Sequence, residues 1–532
     1  MKNEERIARL EDEIAQLKSD NASLSDEVAK LKLLNDCYLE QLRLAAHRRF
    51  GRSSEKTELP YQLGLFNEAE ALADEPEAIE VGSHKRKKRK GKREEFYEGL
   101  ETRQIVHELP EDARICPDCG GALHACGHEV LRREVEVIPA RFSAVEHVQT
   151  VYACRGCEKK ADDTPVPMVK SRVPAPVIPN SGIASPSLLS FIISNKYVLA
   201  LPLYRQGQEL KRIGIHISRQ TLANWVIFAA MKYLEPVYKL LHTELTQNLI
   251  LHADETFLQV IRENGRASSQ KSVMWMYHTG RDSEKQVALF EYQPTREGKH
   301  PQAFLEGFSG FLHVDAYAGY RGLEDRGITL VECWAHARRK FDEALKSLRK
   351  EDRKNAAANI GLEYCDKLFA LEREFDEMNL DHEERKKLRE LQSKPVAEAF
   401  FAWAKEEHED ALPKNKLGVA LTYAVNQQPW LMNFLLDGRL ELSNNRAERS
   451  IRPFTVGRKN WLFSFSGKGA KASAIVYSII ETAQANGLVP FMYLNYLFET
   501  LPNLPPERFA ECLPWANDVQ QVCSIPNLSR AI

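Results

Sequence analysis

The 532-residue sequence has no apolar run approaching the ~18 residues that a membrane span needs. A helical membrane protein is therefore excluded as a reading. Its opening stretch, Met1 to Arg9, is charged and helical in pattern rather than apolar, so it does not read as a secretory leader and a cytoplasmic protein is expected. Cysteine is sparse: ten residues spread through a long chain of mixed character do not make a disulfide framework. Net positive charge is missing too, with 73 Lys and Arg against 75 Asp and Glu. That balance argues against a nucleic-acid binder only until charge is mapped locally. His84 to Arg93 (HKRKKRKGKR) is strongly basic, while Glu68 to Glu80 just before it is acidic, so neutrality hides two separated blocks of opposite sign. No internal repeat is found. With 43% hydrophobic residues the chain can bury at least one sizeable core, and its length allows roughly three or four domains of ~150 residues.

What is present begins with a heptad pattern. Ile7, Ile14, Asn21, Val28, Asn35 and Leu42 share one seam position, and Leu10, Leu17, Leu24, Leu31 and Tyr38 the other. Branched residues at a with Leu at d favour a parallel two-stranded coil, and Asn at a fixes register. The facing pairs Arg6–Glu11, Glu13–Lys18 and Glu27–Lys32 carry opposite charges, which supports a homodimer or higher oligomer over a solvated helix packed on its own domain. Gly51 and Ser53-Ser54 close this helix, giving a dimerisation segment over 1–57 and an acidic-then-basic linker over 58–94.

Residues 95–170 hold short β-rich runs around Cys116-Pro-Asp-Cys119 and Cys154-Arg-Gly-Cys157. Two CxxC pairs complete a closed tetrahedral site, so one structural zinc held by Cys116, Cys119, Cys154 and Cys157 is expected in a ribbon. Redox chemistry is the competing idea, but one pair would suffice for it and no thioredoxin-like βαβ pattern surrounds these. His124, Cys126 and His128 read as surface residues. Within a helical region over 171–246, Leu203 to Trp225 reads as helix, turn, helix: Gly214 permits the turn and Ser218 can cap the second helix. Arg219, Gln220 and Asn224 are then exposed while Leu222, Trp225 and Val226 face inward. Those three side chains suit base-edge contacts, and two core helices with polar outer faces are the alternative.

Strand-like runs follow at Leu249–Val260, Val273–Tyr277, Val287–Tyr292, Gly310–Val314 and Thr329–Glu332. Asp254 lies inside the first and Asp315 ends the fourth. A carboxylate at a buried strand position is costly unless it is paired or binds metal. Residues 346–436 are mostly helical. Glu448 falls in Ser443-Asn444-Asn445-Arg446-Ala447-Glu448, predicted as a short helix capped by Ser443 or Asn444, stopped by Pro453, with Asn444, Asn445 and Arg452 flanking the carboxylate. Glu255 points to the opposite strand face from Asp254. Ser466-Gly467-Lys468-Gly469 lacks phosphate-loop spacing, and no strand clearly feeds it, so it reads as a turn before a last helix ending at Gly487. Cys333 and His336 are spaced like half a metal site, but with no second pair nearby they read as packing.

The runs Arg49 to Lys56, the Cys pairs, His252 to Thr256, Val314 to Tyr317, Cys333 to Phe341, Ser443 to Arg449 and Arg458 to Ala483 together resemble the insertion-sequence-66 transposases, in matching order over nearly the whole chain. The resemblance implies an α+β multidomain protein: coiled coil, zinc ribbon, helix-turn-helix, and an RNase H-like α/β catalytic domain with a helical insertion. The catalytic parts would span 247–345 and 437–500, and 501–532 would be a tail. It implies a DDE triad of Asp254, Asp315 and Glu448 holding two Mg²⁺ or Mn²⁺ ions for in-line phosphoryl transfer at inverted-repeat ends, then strand transfer into target DNA. DNA contacts are expected from Lys85, Arg86, Lys87, Lys88 and Arg89, from Arg219, Gln220 and Asn224, and from Arg338, Arg339, Arg452 and Lys459. Accessory proteins of the same element and a nucleoid-associated bacterial setting are further expectations. The rival is a non-catalytic zinc and helix-turn-helix regulator; a repair-type nuclease, which hydrolyses DNA without joining it, is the third reading.

Overall fold

The computed structural model describes residues 141–153, 168–171, 173–179 and 181–525, with individual positions between 16 and 44 of a helical N-terminal segment. The basic run at 85–93 and the four ribbon cysteines lie outside the described residues. The chain divides into two units, one formed by 1–75 with 176–524, the other by 76–175 with 525–532. In the smaller unit β1 (Val151–Ala153) pairs antiparallel with β2 (Met168–Lys170), and the Gln149 amide donates to the Ser171 carbonyl at 2.7 Å. Of the β-rich runs expected over 95–170, the described residues hold these two short strands.

From residue 176 the larger unit continues with α1 (Pro186–Tyr197), whose Ser185 cap accepts from the Leu188 N–H. α2 (Leu203–Arg212) and α3 (Arg219–Ala229) follow, separated by a turn in which Gly214 takes φ of 88°. A side chain is strained in that left-handed region, which is why glycine serves there. Ser218 caps α3 by accepting from the Thr221 N–H at 3.0 Å. The expected helix-turn-helix is present. Through a wider turn at Ala230–Leu234 the chain continues into α4 (Glu235–Thr246).

Five strands then build the main sheet: β3 (Ile250–Arg262), β4 (Lys271–Thr279), β5 (Ala288–Gln293), β6 (Gly310–Val314) and β7 (Ile328–Glu332). Their spatial order is β5-β4-β3-β6-β7, with the first three antiparallel and β6 and β7 parallel to β3. β4 is buried at every position after Lys271, as its apolar sequence requires. A short α5 (Lys299–Phe304) lies between β5 and β6. The pairing of β3 with β6 stops at His252–His313; farther along, the same side of β3 is taken up by β8 (Ser464–Ser466) at Val260 and Arg262. Between those two partners a stretch of the β3 edge is left for something else.

After β7 come α6 (Trp334–Ser347), α7 (Ala357–Glu377), α8 (His382–Leu388), α9 (Lys394–Asp410) and α10 (Lys416–Leu431). They form a second core around Trp334, Phe341, Phe400, Phe401 and Phe434. Arg389 is fully buried at its edge. Its guanidinium is paired with Glu372 at 2.8 and 2.7 Å and donates to the carbonyls of Phe434, Asp437 and Leu440, so it pins the chain where it returns to the sheet.

The return helix differs from expectation. α11 runs Asn445–Trp461 with Pro453 inside it, not as a short helix stopped there. An interior proline costs about 3 kcal/mol through its lost N–H and its clash with the preceding turn. Ala447, Ile451, Phe454 and Gly457, recurring at helical spacing, are buried on both sides of it and offset that cost. α12 (Gly467–Ala485) follows β8 directly, capped by Ser466, which accepts from Gly469 N–H at 3.2 Å; a strand does feed this turn, contrary to expectation. α12 covers the edge strand β5, where the Ser478 hydroxyl accepts from Phe290 N–H and that of Thr482 from Ala288 N–H. Gly487 ends it with φ of 74°. α12 is not the last helix. α13 (Pro490–Thr500) and α14 (Asn517–Cys523) follow, with Val489 N–H donating to Cys523 carbonyl, so residues 501–524 are folded rather than a tail. Among the described residues, no helix is long and apolar enough to cross a membrane.

Candidate active site

Two strands present the same motif to one face. His252-Ala253-Asp254 on β3 and His313-Val314-Asp315 at the end of β6 are in parallel register through the His252–His313 pair. Side chains alternate along a strand, so the two histidines and the two aspartates project to the same side. The histidine rings stack with centroids 4.3 Å apart at 8°. Asp254 and Asp315 stand two residues farther along, where β6 ends, and Tyr317 N–H bonds back to the Asp315 carboxylate at 3.0 Å.

α11 fills the vacant β3 edge. Near its far end Arg458 donates to the Thr256 hydroxyl and the Phe257 carbonyl. Its start is held by Asn444, which occupies the cap position but makes no cap bond with its side chain. That side chain is buried and committed elsewhere: its amide donates to the Ala253 carbonyl at 2.8 Å, and its oxygen lies 3.0 Å from His252 Nδ1. The other ring nitrogen of His252 faces the Glu441 carboxylate at 2.8 Å. Burial works against the Glu441 charge, but His252, with Arg446 and His313, holds its carboxyl well below the usual range. Glu441 N–H in turn approaches His313 Nε2 at 3.3 Å. The expectation that Asn444 flanks Glu448 as a DNA-facing group is thus corrected: the sheet needed a polar partner for buried His252, and Asn444 is spent there.

This clamp brings Glu448, one turn into α11, close enough for its charge to act on Asp254. Burial first, then the charges of Glu255, Asp315 and Glu448, push the Asp254 carboxyl up to about 8, against one opposing bond from Glu255 N–H. Glu448 Oε1 is itself buried without a hydrogen-bond partner. An Arg339 nitrogen pairs with the Glu448 carboxylate at 3.7 Å, and His336 Nε2, on an imidazole whose protonation burial disfavours, lies at the same distance. Glu255 faces the other way, where Arg296 and the Tyr320 hydroxyl (2.6 Å) hold it. Cys333 was expected only to pack. It precedes α6, accepts the Asn444 N–H at 3.1 Å and forms a close group with His336 and Glu448. Burial pushes its thiol up to about 11.

The expected DNA-contacting residues fall in several places. Arg219, Gln220 and Asn224 are exposed on α3, with Gln220 bonded to Asn224 at 3.0 Å, while Leu222, Trp225 and Val226 are buried beneath. Arg452 and Lys459 are exposed on α11, and Arg339 on α6. Arg338 is engaged by Asp366 at 2.5 Å. Sequence reasoning missed His252, Glu441, Asn444 as a clamp, and Arg458. The repeated His-X-Asp on two strands was the available signal for the first of these.

Comparison with known proteins gives these features a class. A family model described as "Transposase IS66 family" matches residues 181–472, which takes in the helix-turn-helix, the sheet and α11. A "zinc-finger binding domain of transposase IS66" matches 113–158, an "IS66 C-terminal element" 478–515, and "Transposase C of IS166 homeodomain" 38–105. Similar curated proteins include y4hP and y4qI, both uncharacterized proteins of Sinorhizobium fredii. The first is 30% identical over 80% of this chain and 76% of its own length, the second 29% over 96% and 93%. The chain is a DNA-binding transposase by class. It belongs to the IS66 transposase family.

Proposed function

We propose that the chain is a DDE transposase that cleaves DNA at the ends of its element and joins the freed 3′-hydroxyl to target DNA, with Asp254, Asp315 and Glu448 holding two Mg²⁺ or Mn²⁺ ions. The observation that carries the reading is the gathering of acids at one edge of β3: Asp254 and Asp315 project to the same side of parallel strands, Glu448 lies on the helix held against that edge, and burial together with neighbouring carboxylates, Glu255, Asp315 and Glu448, pushes Asp254 up to about 8. Such crowding fits hard divalent cations, which take oxygen ligands. When bound, the ions supply Lewis-acid activation of the attacking oxygen and charge stabilisation at the leaving oxygen. The mixed sheet, with Asp254 inside β3, Asp315 at the end of the adjacent parallel β6 and Glu448 on a returning helix, supports an RNase H-like catalytic domain.

The chain's own residues do the rest. Arg219, Gln220 and Asn224 on α3 would read base edges, while Arg339, Arg452 and Lys459 would hold phosphates beside the acids. Lys85 to Arg89 would add sequence-independent phosphate affinity. Cys116, Cys119, Cys154 and Cys157 all lie in the matched zinc-finger segment and would hold one structural zinc. The reading is tested by incubating the protein with its element ends and Mg²⁺. Joined products support it; end binding without cleavage favours a regulator, and cleavage without joining a repair-type nuclease.

The clamp gives a graded prediction. Asn444→Ala unties His252 and Ala253 from the start of α11 without touching an acid. Loss of such supporting contacts costs on the order of 10–100-fold in metal affinity or activity. Mn²⁺ affinity by calorimetry should fall by about that factor while binding to element ends is retained; unchanged Mn²⁺ affinity would remove the clamp from the account.

The N-terminal segment is proposed to form a parallel dimer. Of its seam residues Leu24, Val28, Leu31, Tyr38 and Leu42 are exposed in the single chain, as an unpaired seam would be. Sedimentation at micromolar concentration should give a dimer, and Leu24→Lys with Leu31→Lys a monomer. A monomeric wild-type chain contradicts this.

A further inference from the structure

We propose that Cys333, His336 and Glu448 form a second metal site, suited to zinc or cadmium, that shares Glu448 with the acidic cluster. The sequence prepares it locally. Cys333 immediately precedes α6 and His336 is three residues on, so the two side chains meet at the start of one helix. The fold adds the third ligand from a distance, because the clamp on Asn444 sets the first turn of α11 against the first turn of α6. One ligand atom from each residue lies within 4.8 Å of the others. His336 Nε2 and Glu448 Oε1 are 3.7 Å apart, against about 3.3–3.8 Å for the edge of a tetrahedron with ~2.0–2.3 Å metal–ligand bonds.

Two independent features point to an ion. Glu448 Oε1 is buried with no hydrogen-bond partner, a costly state that a ligand would relieve. The donors are also of the right kind. Sulfur, imidazole nitrogen and one carboxylate suit a borderline or soft ion, whereas Asp254, Asp315 and Glu448 offer only oxygen. Three protein ligands leave a fourth position open, as in exchangeable rather than purely structural zinc sites. The Asn444 N–H already directed at Cys333 Sγ would support a bound thiolate from outside the coordination sphere. An ion held here takes Glu448 from the hard-ion site, so zinc should oppose Mg²⁺-dependent cleavage; this consequence rests on the function proposed above.

The test is a cobalt titration of the full chain, carrying whatever metal its ribbon cysteines hold, read by cobalt–thiolate charge-transfer absorption. Wild type should show one equivalent of thiolate-bound cobalt that Cys333→Ser lacks. His336→Gln should weaken it at least tenfold, and Asp254→Asn should keep it. Identical titrations for wild type and Cys333→Ser, or for wild type and His336→Gln should the serine variant fail to fold, overturn the site. If cobalt binds at Cys333 but zinc leaves Mg²⁺-dependent cleavage unchanged, the sharing of Glu448 is wrong. Zinc-free wild type that never cleaves defeats the transposase chemistry while leaving the metal site standing.

Discussion

Asp254→Ala, Asp315→Ala and Glu448→Ala are each expected to abolish Mg²⁺- or Mn²⁺-dependent cleavage and joining while leaving binding to the element ends intact. The three acids arrive from two adjacent strands and one helix, and among the described residues their ion pair with an arginine is a long one, Arg339 to Glu448 at 3.7 Å. Removing one leaves ion charge and position uncompensated, and two-ion phosphoryl transfer depends on both. DNA binding rests on other side chains and should tighten slightly when a repulsive acid is lost. Glu255 provides the control, but not as alanine. Its carboxylate holds Arg296 and the Tyr320 hydroxyl, so Glu255→Ala would strand buried partners, whereas Glu255→Gln preserves hydrogen bonding and should retain most activity. The readouts are a gel assay for joined ends beside a binding assay on the same DNA. Normal joining by all three alanine variants would end the triad assignment.

The second large effect is on stability. Arg389→Met should destabilise the chain by about 3–5 kcal/mol, the usual cost of removing one member of a buried ion pair. Arg389 is fully buried and makes a two-pronged contact with Glu372, with three further bonds to carbonyls in 434–440. Arg385, 3.2 Å from Glu372, shares that carboxylate and should keep the loss toward the lower end. Because the pinned segment leads directly to Glu441, cleavage should weaken even below the unfolding transition. Denaturant unfolding with a midpoint unchanged from wild type would show that the guanidinium contributes little.

Strands were the most legible part of the sequence, because their apolar residues are continuous and β-branched or aromatic: Gly310–Val314 was expected and found with the same limits, and β3 differs by one residue at its start and two at its end. The helix-turn-helix was readable from Gly214 and Ser218 for equally local reasons. Where the reading failed, a local signal was overruled by a distant partner. Pro453 marks a stop, yet the buried faces of Ile451 and Phe454 carry α11 through it. Asn444 signals a helix cap, yet His252, 192 residues earlier, takes its side chain. Cys333 and His336 lacked a partner in sequence because Glu448 comes from the far side of a helical insertion. The two aspartates were legible from their placement in apolar strands; the network that ties the start of α11, which carries Glu448, to β3 was not.

The most direct measurement is a strand-transfer reaction with purified full-length protein, duplexes carrying the element ends from its own locus, a target plasmid and Mg²⁺. Wild type should join ends to target, and a variant with Asp254→Asn, Asp315→Asn and Glu448→Gln together should bind the ends but yield no joined product. Joining by that variant at the wild-type level would contradict the account.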